Sequence, residues 1–349
     1  MRWRMTVLGT VVTLVSAYLA LRNVDLAEVW SILRSSDYWW LAPAIGVMAL
    51  AVFVRVIRWR YLFAAERRPA FWPLSEGLLV GHFFNTVLPA RAGDLARVGA
   101  INLRAGTSKA EALATVMVER VFDVLALLLL LFVALPWLPE VTWVRTAAIV
   151  AVVLGIAFAA CVVVLTVYGE RPVHVLLKPL GRLRFLHADR LEKAASNLSE
   201  GLVGLRRAHL GGASFALTVV SWLLFALCFW LVTLCFDLGL PLGAGLLVVI
   251  ATGFSLALPA APAGLGVFEA ATIVALAAYG VPKSEALSYA LVLHAATTIP
   301  FLVAGGLLLN VHGVRYGRRR RSAVAAVGAG VNEHDVAEAP HRDADVRDA

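Results

Sequence analysis

One of the long apolar stretches of the chain begins with three charged residues, Glu119, Arg120 and Asp123. On a helix Glu119 and Asp123 lie four positions apart and share a face, while Arg120 lies three positions before Asp123. Charges at such a depth are costly in hydrocarbon unless they pair or face a polar cavity, so they indicate a functional site. An arginine there can bind a phosphate through a bidentate contact while the carboxylates hold it in place. The alternative is that the three residues cap the cytoplasmic end of a helix among the lipid headgroups.

A second charged group, Arg91, Asp94 and Arg97, alternates in sign along the chain and belongs to the same phosphate-binding hypothesis. It follows an apolar run that is interrupted by Asn85 and Pro89. A broken helix is tolerated in hydrocarbon only where the freed backbone groups face protein or water. The break and the charges together therefore predict a polar cavity.

A related break returns in the second half, where the string around Pro259 resembles the string around Pro89. This half carries Glu269 in a segment where a simple span would have no charge. Because Glu269 lacks an obvious partner nearby in the sequence, we expect it to pair with an arginine of the first broken segment. His294 falls opposite Arg120 in the repeat, and we interpret it as a satisfied helix-bundle residue in preference to a proton carrier. The predicted translocation site comprises Asn85, Pro89, Arg91, Asp94, Arg97, Glu119, Arg120, Asp123, Pro259, Glu269 and His294.

The composition explains why these charges stand out. Of the 349 residues 60% are hydrophobic and only 15% are charged, and windows of about 18 or more residues are almost free of charge, as in helices that cross a bilayer. We predict an all-α polytopic membrane protein with about six full spans and two broken re-entrant hairpins; eight spans are the alternative. The predicted spans are 5–21, 38–57, 116–138, 143–168, 210–236 and 286–309, and the hairpins are 75–106 and 240–280.

Two units of similar order, 38–138 and 210–310, each contain a span, a broken hairpin and a span. Basic segments mark the cytoplasmic side, which makes the hairpins enter from opposite faces and the repeat inverted, a plan that recurs in transporters. The same rule predicts a cytoplasmic amphipathic linker at 169–208, both termini in the cytoplasm and a location in the cytoplasmic membrane. A transmembrane domain, 1–314, would then precede a basic and finally disordered tail, 315–349.

Several other functions are disfavoured. The net charge of +8 comes from short segments between apolar windows, where it orients the spans, so we expect no nucleic-acid binding. The three cysteines and eight histidines lack metal-ligand spacing, and Gly264-Leu265-Gly266 has no strand before it as a dinucleotide loop requires. We therefore predict no metal, no other cofactor and no enzyme activity.

Four motifs give the chain a resemblance to the flippase-like integral membrane proteins that share the transmembrane region of lysylphosphatidylglycerol synthases. The motifs are Arg55 to Trp59, Asn85 to Asp94, Val118 to Asp123 and Pro262 to Glu269. Two positions depart from the family pattern, since Asp94 stands where Glu is frequent and Ala263 where a second Gly is common. The full-length synthases add a large soluble aminoacyl-transferring domain, whereas this chain ends in a short polar tail, so we expect it not to make lysylphosphatidylglycerol.

The resemblance implies that the protein moves an anionic or modified lipid, such as an aminoacylated phospholipid or a polyprenyl-linked glycolipid, between leaflets. A membrane lipid flippase is thus the leading hypothesis. Two alternatives stay open: a membrane-embedded enzyme or accessory subunit of lipid or cell-envelope glycan synthesis, and a transporter of small solutes or ions. The expected partners are membrane lipids and a lipid-modifying enzyme, and a homodimer is one option for the assembly.

Overall fold

The computed structural model describes residues 2–63, 65–88, 92–142, 144–146, 149–153, 155–157, 208–255 and 261–328. The regular structure of these residues is helical and contains no strand, as predicted. The helices are α1 (Arg2–Leu21), α2 (Leu26–Ser35), α3 (Leu41–Tyr61), α4 (Phe71–Val87), α5 (Gly93–Ala105), α6 (Lys109–Ala134), α7 (Ala208–Thr233), α8 (Leu242–Ser255), α9 (Val267–Ala277) and α10 (Lys283–Gly328). Nearly all of the predicted linker at 169–208, and much of the predicted span at 143–168, lie outside the described residues.

Three stretches of the described chain are helical, long and apolar enough to cross a membrane: Tyr38–Tyr61, Gly211–Phe236 and Lys283–Val311. The pair α1 and α2 is apolar enough to be a fourth, although the two helices bend by 78° where they meet. The chain is therefore a multi-pass membrane protein. The count of six full spans and the inverted orientation of the repeat stay predictions.

Four shorter helices occupy the two segments that the sequence predicts to be broken. In the first segment α4 has 17 residues and α5 has 13; in the second, α8 has 14 residues and α9 has 11. Each is shorter than the roughly 20 residues that a full span needs. Each repeat unit thus has the order long helix, two short helices, long helix.

Local sequence explains where several of these helices begin and end. The Ser108 hydroxyl accepts a hydrogen bond from the Glu111 amide over 3.1 Å and so caps the start of α6. Asp25 does the same for α2, where its carboxylate accepts from the Ala27 amide over 2.8 Å. α5 ends at Gly106, whose φ of +65° is the left-handed conformation that glycine adopts without strain.

The helices of the two units pack against each other. α3 lies along α7, so the first long helix of one unit contacts the first long helix of the other. α4 packs against both α5 and α10, and a 3₁₀ turn at Pro262–Gly264, before α9, contacts α4. The turn between the two short helices of the second hairpin therefore contacts the first hairpin.

The last helix is longer than the predicted span at 286–309. α10 runs for 46 residues, contains Pro300 and continues through the basic residues Arg318 to Arg321. The predicted boundary between membrane domain and tail, at residue 315, falls inside this helix. Residues 329–349 of the predicted disordered tail lie outside the described residues.

Candidate functional site

Glu119 lies at the centre of the charge cluster and contacts three arginines, Arg97 and Arg58 closely and Arg120 at 3.6 Å. Arg97 donates from Nη1 to Oε1 over 2.9 Å and from Nη2 to Oε2 over 2.7 Å. Arg58 adds an ion pair, with its Nη2 2.8 Å from Oε1. Glu119 is only 4% exposed and Arg58 is fully buried. Because the carboxylate is shared by cations away from water, removing it would leave Arg97 without a described carboxylate partner and Arg58 with Asp123 alone.

Asp123 lies one turn further along α6 and extends the cluster to α7. Its Oδ1 accepts from Arg58 Nη1 over 2.7 Å and from the Trp222 indole Nε1 over 3.2 Å. Its Oδ2 accepts from Arg120 Nη1 over 3.3 Å. Arg58 thus joins α3 to both carboxylates of α6, and Trp222 connects α7 to the same group.

Arg120 connects α6 to the first broken hairpin. Its Nη2 donates to Asp94 Oδ1 over 3.2 Å, and Asp94 lies in the first turn of α5. A carboxylate is favourable there because the first turn of a helix carries unpaired N–H groups and the positive end of the dipole. Since Arg97 also belongs to α5, this helix contributes one cation and one anion to the cluster.

Aromatic rings make cation–π contacts with two of the guanidinium groups. The guanidinium carbon of Arg97 lies 3.5 Å from the centre of the Trp59 ring, and the Trp59 indole in turn donates to Thr115 Oγ1 over 3.0 Å. The guanidinium carbon of Arg55 lies 4.7 Å from the Trp222 ring and 4.5 Å from the Phe225 ring. Such contacts favour a cation out of water and orient its plane.

Cations outnumber anions in this cluster. Its described charged members are Arg55, Arg58, Arg97 and Arg120 together with Asp94, Glu119 and Asp123. Four positive groups minus three negative groups leave a formal charge of +1. A partly buried site with an excess of guanidinium groups is chemically suited to an anionic oxygen ligand such as a phosphate.

The cluster lies near one face of the membrane. Arg58 follows Trp40 by about 18 residues, and Glu119 precedes Trp137 by about as many, a distance of about 27 Å at the helical rise of 1.5 Å per residue. This is close to the thickness of the hydrocarbon core, about 30 Å. Trp40 and Trp137 are exposed, as interfacial aromatic residues are. The two tryptophans mark one face, and the cluster lies towards the opposite one.

The structure brings together the charged residues that the sequence singles out on α5 and α6. Asp94, Arg97, Glu119, Arg120 and Asp123 form one connected set of ion pairs. The contact of Arg120 with Asp123, three positions apart on one helix, is the one that their spacing predicts. Arg91 and Pro89 lie outside the described residues.

Sequence reasoning missed Arg55 and Arg58. Their position at the end of a predicted span led us to interpret them as orientation signals, but Arg58 is fully buried between two carboxylates. Two features of the sequence could have found them: the two arginines are three positions apart and so share a helix face, and Thr218 and Trp222 supply polar atoms at spacing four on α7. The Thr218 hydroxyl oxygen accepts from Arg58 Nη1 over 3.4 Å.

Asn85 holds the two helices of the first hairpin together. Its Oδ1 accepts from the Gly93 amide over 2.9 Å. α4 and α5 approach so closely here that a Cβ added to Gly93 would lie 1.9 Å from the carbonyl oxygen of Gly81. Asn85 and Gly93 therefore position the start of α5, which carries Asp94 and Arg97 into the cluster.

Glu269 was predicted to pair with an arginine of the first hairpin, and among the described residues this prediction is wrong. Its Oε1 lies 2.5 Å from His294 Nδ1 on α10, and its Oε2 accepts from the Gly266 amide over 2.7 Å. Glu269 thus caps the start of α9 and binds a histidine of its own half, with no described arginine in contact. His294 also packs against Phe268, with ring centres 4.6 Å apart, in agreement with its interpretation as a satisfied bundle residue. Pro259 lies outside the described residues.

An apolar cavity of about 500 Å³ opens further along two helices of the cluster. It lies between α6, α7 and α8, and Leu130, Leu223 and Leu246 are among its lining residues. Leu130 follows Asp123 by about two turns of α6, or about 10 Å. Within the described part of the chain no three His, Cys, Asp or Glu side chains are grouped closely enough to hold a metal ion.

The comparison with known proteins identifies the family. The family described as lysylphosphatidylglycerol synthase TM region matches residues 6–305. The chain belongs to this family. It is 26% identical over 343 residues to glycosyltransferase AglD of Haloferax volcanii. The matched region covers 88% of this chain and 54% of that protein. It is also 23% identical over 229 residues to UPF0104 membrane protein MJ1078 of Methanocaldococcus jannaschii, which covers 66% of this chain and 94% of that protein.

Membership of the lysylphosphatidylglycerol synthase TM region family corrects the prediction that the protein is not an enzyme. The sequence argument excluded an enzyme, whereas the family and the relative AglD both carry the names of enzymes, which points to an enzyme-related function. The prediction was wrong because metal sites and nucleotide loops are the features of soluble catalytic domains. The chain spans about half the length of the glycosyltransferase that it matches.

Proposed function

We propose that this domain binds the anionic headgroup of a membrane lipid at the arginine cluster and moves that lipid between the two leaflets. The observation that carries the proposal is the excess of guanidinium groups in a partly buried charge cluster near one membrane face. An exposed basic patch can bind a headgroup at the membrane surface, but a headgroup that crosses the hydrocarbon core needs its cations inside the helix bundle. The lipid class is an anionic phospholipid or a polyprenyl-linked glycolipid.

The cavity beside the cluster supports a lipid over a small solute. It lies between α6 and α7, which also carry Asp123 and Trp222, and its lining side chains are apolar. A headgroup at the cluster would have its hydrocarbon chain run along the same two helices into the cavity. A chain bound in this way is stabilised by burial of apolar area and by dispersion contacts.

The order of helices supports movement between leaflets. Both repeat units have two short helices between two long ones, and the turn at Pro262–Gly264 contacts α4. In an inverted repeat, exchange of the conformations of the two halves would open the site first to one leaflet and then to the other. The ion pairs of Asp94 and Arg97 with α6 would then be the contacts that hold the first hairpin in the present state.

The test is a translocation assay in proteoliposomes. Fluorescent phosphatidylglycerol is reconstituted with the protein, and dithionite added outside reports the rate at which label leaves the inner leaflet. We expect the wild-type protein to accelerate the movement, and Arg120→Gln to lose that acceleration while the protein still reconstitutes. Movement no faster than in protein-free liposomes would contradict the proposal.

A second candidate function is a role in the synthesis of a lipid-linked glycan, and the relative named glycosyltransferase AglD favours it. In this case the cluster would bind the lipid phosphate and present the lipid to a reaction, either in this chain or in a partner enzyme. Purified protein would be incubated with a polyprenyl phosphate and a radiolabelled nucleotide sugar. Label that enters the lipid in wild type but not in Asp123→Asn would favour synthesis over translocation.

A further inference from the structure

Arg55 differs from the other arginines of the cluster in having no carboxylate partner among the described residues. Its Nε and Nη2 atoms are buried and have no hydrogen-bond partner. Buried donors are satisfied in nearly all native proteins, and an exception needs an explanation such as a ligand site. Among the described residues Arg55 therefore has two buried donors without a partner. Arg58, Arg97 and Arg120 also leave a buried Nε unpartnered, but each of them contacts a carboxylate.

The other three arginines are already committed to carboxylates. Arg97 makes two hydrogen bonds to Glu119, Arg58 bridges Glu119 and Asp123, and Arg120 contacts Asp94 and Asp123. A ligand that used these guanidinium groups would have to displace a protein carboxylate. A ligand at Arg55 would displace none, and it would neutralise the excess charge of the cluster.

The rings of Trp222 and Phe225 pack against the Arg55 guanidinium. Trp222 and Phe225 lie within 4.7 Å and 4.5 Å of its central carbon, and their centres are 6.0 Å apart. Stacking of this kind uses the face of the guanidinium plane, whereas hydrogen bonds to oxygen use its edge. The Trp222 indole is itself held by Asp123 over 3.2 Å, so the stacked arginine is positioned before any ligand arrives.

We propose that Arg55 is the direct ligand of a phosphate group and binds it through two donors of its guanidinium edge. This inference rests on the proposed function, because the phosphate in question is the headgroup phosphate of a membrane lipid. Free phosphate offers the same oxygens, and the experiment separates the two sources. Trp222 and Phe225 are positioning residues, since they contact the arginine and hold its plane.

The experiment measures equilibrium binding to the full chain in dodecyl maltoside by isothermal titration calorimetry. The probes are dihexanoyl phosphatidylglycerol, dihexanoylglycerol, which lacks the phosphate, and inorganic phosphate. The variants are Arg55→Met, which keeps an unbranched apolar side chain but removes the guanidinium group, and Arg55→Lys, which keeps the charge without the planar edge. Arg34→Gln is the matched control, because Arg34 stacks on Trp30 at 4.8 Å but lies at the end of α2, outside the cluster.

We expect Arg55→Met to weaken binding of phosphatidylglycerol by about tenfold or more. The affinity of Arg55→Lys should lie between those of Arg55→Met and wild type, and the affinity of Arg34→Gln should equal that of wild type. Dihexanoylglycerol should bind weakly to every variant. Arg55-dependent binding of inorganic phosphate with equal affinity would assign the site to the free ion. The melting temperature of Arg55→Met should equal or exceed that of wild type, since an unpartnered buried cation is removed.

Two results would overturn the inference. Unchanged affinity of Arg55→Met for phosphatidylglycerol would show that another group binds the phosphate, and a clearly lower melting temperature would identify Arg55 as a structural cation. Binding at equilibrium is independent of movement between leaflets. Arg55-dependent binding without translocation would therefore contradict the proposed function alone, and translocation by the wild-type protein without Arg55-dependent binding would contradict this inference alone.

Discussion

Arg97 and Glu119 form a two-pronged ion pair, with Nη1 to Oε1 at 2.9 Å and Nη2 to Oε2 at 2.7 Å, between a short helix of the first hairpin and the long helix that follows it. Both side chains are almost completely buried, with 3% and 4% exposure. The pair joins a segment too short to cross the membrane to one long enough to do so. It is therefore a contact through which a structural change in the charge cluster would be transmitted to the first hairpin.

Replacement of Glu119 by Gln should destabilise the protein strongly. Arg97 and Arg58 would both lose a buried carboxylate, and breaking a buried pair costs about 3–5 kcal/mol. Thermal unfolding in detergent measures the effect. Glu111→Gln on the same helix is the control, because its contact with the exposed Arg67, at 3.9 Å, is a surface ion pair worth about 0–1 kcal/mol. Equal melting temperatures for the two variants would contradict the burial argument.

Gly93→Ala should separate the two helices of the first hairpin. Its new methyl group would meet the Gly81 carbonyl oxygen at 1.9 Å, and overpacking of this kind costs about 1–3 kcal/mol. On the same helix Gly99 has no neighbouring atom within 4 Å of an added Cβ, so Gly99→Ala should be neutral or stabilise by up to about 1 kcal/mol. The two melting temperatures are compared. A Gly93→Ala protein as stable as wild type would show that the helices do not approach so closely.

The contact between Glu269 and His294 predicts a coupling that the sequence did not suggest. A double-mutant cycle with Glu269→Gln and His294→Phe should give an interaction energy of about 0.5–3 kcal/mol in thermal or denaturant unfolding. A cycle of Glu269→Gln with Arg97→Gln serves as the comparison. It should be additive within about 0.5 kcal/mol, because Glu269 binds the histidine and no described arginine. Additivity in the first cycle would refute the observed pair.

Trp222→Phe should cost more stability than Trp230→Phe on the same helix. The Trp222 indole donates to the charged Asp123 carboxylate over 3.2 Å, whereas the Trp230 indole donates to the neutral Leu240 carbonyl over 2.9 Å. Hydrogen bonds to charged groups contribute about 1.5–3 kcal/mol and neutral ones about 0.5–1.5 kcal/mol. Unfolding of both variants in the same detergent compares the two losses. The reverse order would indicate that Asp123 is satisfied without the indole.

Local sequence predicted the helical elements well, because the interactions that form a helix act between residues that are close together in the chain. The long apolar runs at 38–57, 210–236 and 286–309 each coincide with a described helical stretch that is long enough to cross a membrane, since only hydrogen-bonded backbone is stable in hydrocarbon. The interruption around Asn85 and Pro89 coincides with the end of α4 at Val87. The spacing of Arg120 and Asp123 on one helix was enough to predict their contact.

Contacts between distant segments could not be predicted in this way. Arg58 and Asp123 are 65 positions apart and Trp222 and Asp123 are 99 apart, so no local pattern relates them. A hydropathy profile describes Arg58 as a charge at the end of a span, and such a charge can turn outward to headgroups or inward to the bundle. Packing of α3 along α7 decided that it turns inward.

The sequence by itself determined that the chain is a helical membrane protein with charges at the breaks of its apolar runs, because composition and spacing along one helix decide those properties. Only the tertiary structure decided that Glu119 contacts arginines of two other helices, that Glu269 binds His294 and that Arg55 has no carboxylate partner among the described residues. The physical reason is that a buried charge is stabilised by whichever partner packing brings within hydrogen-bond distance, and that partner comes from another helix.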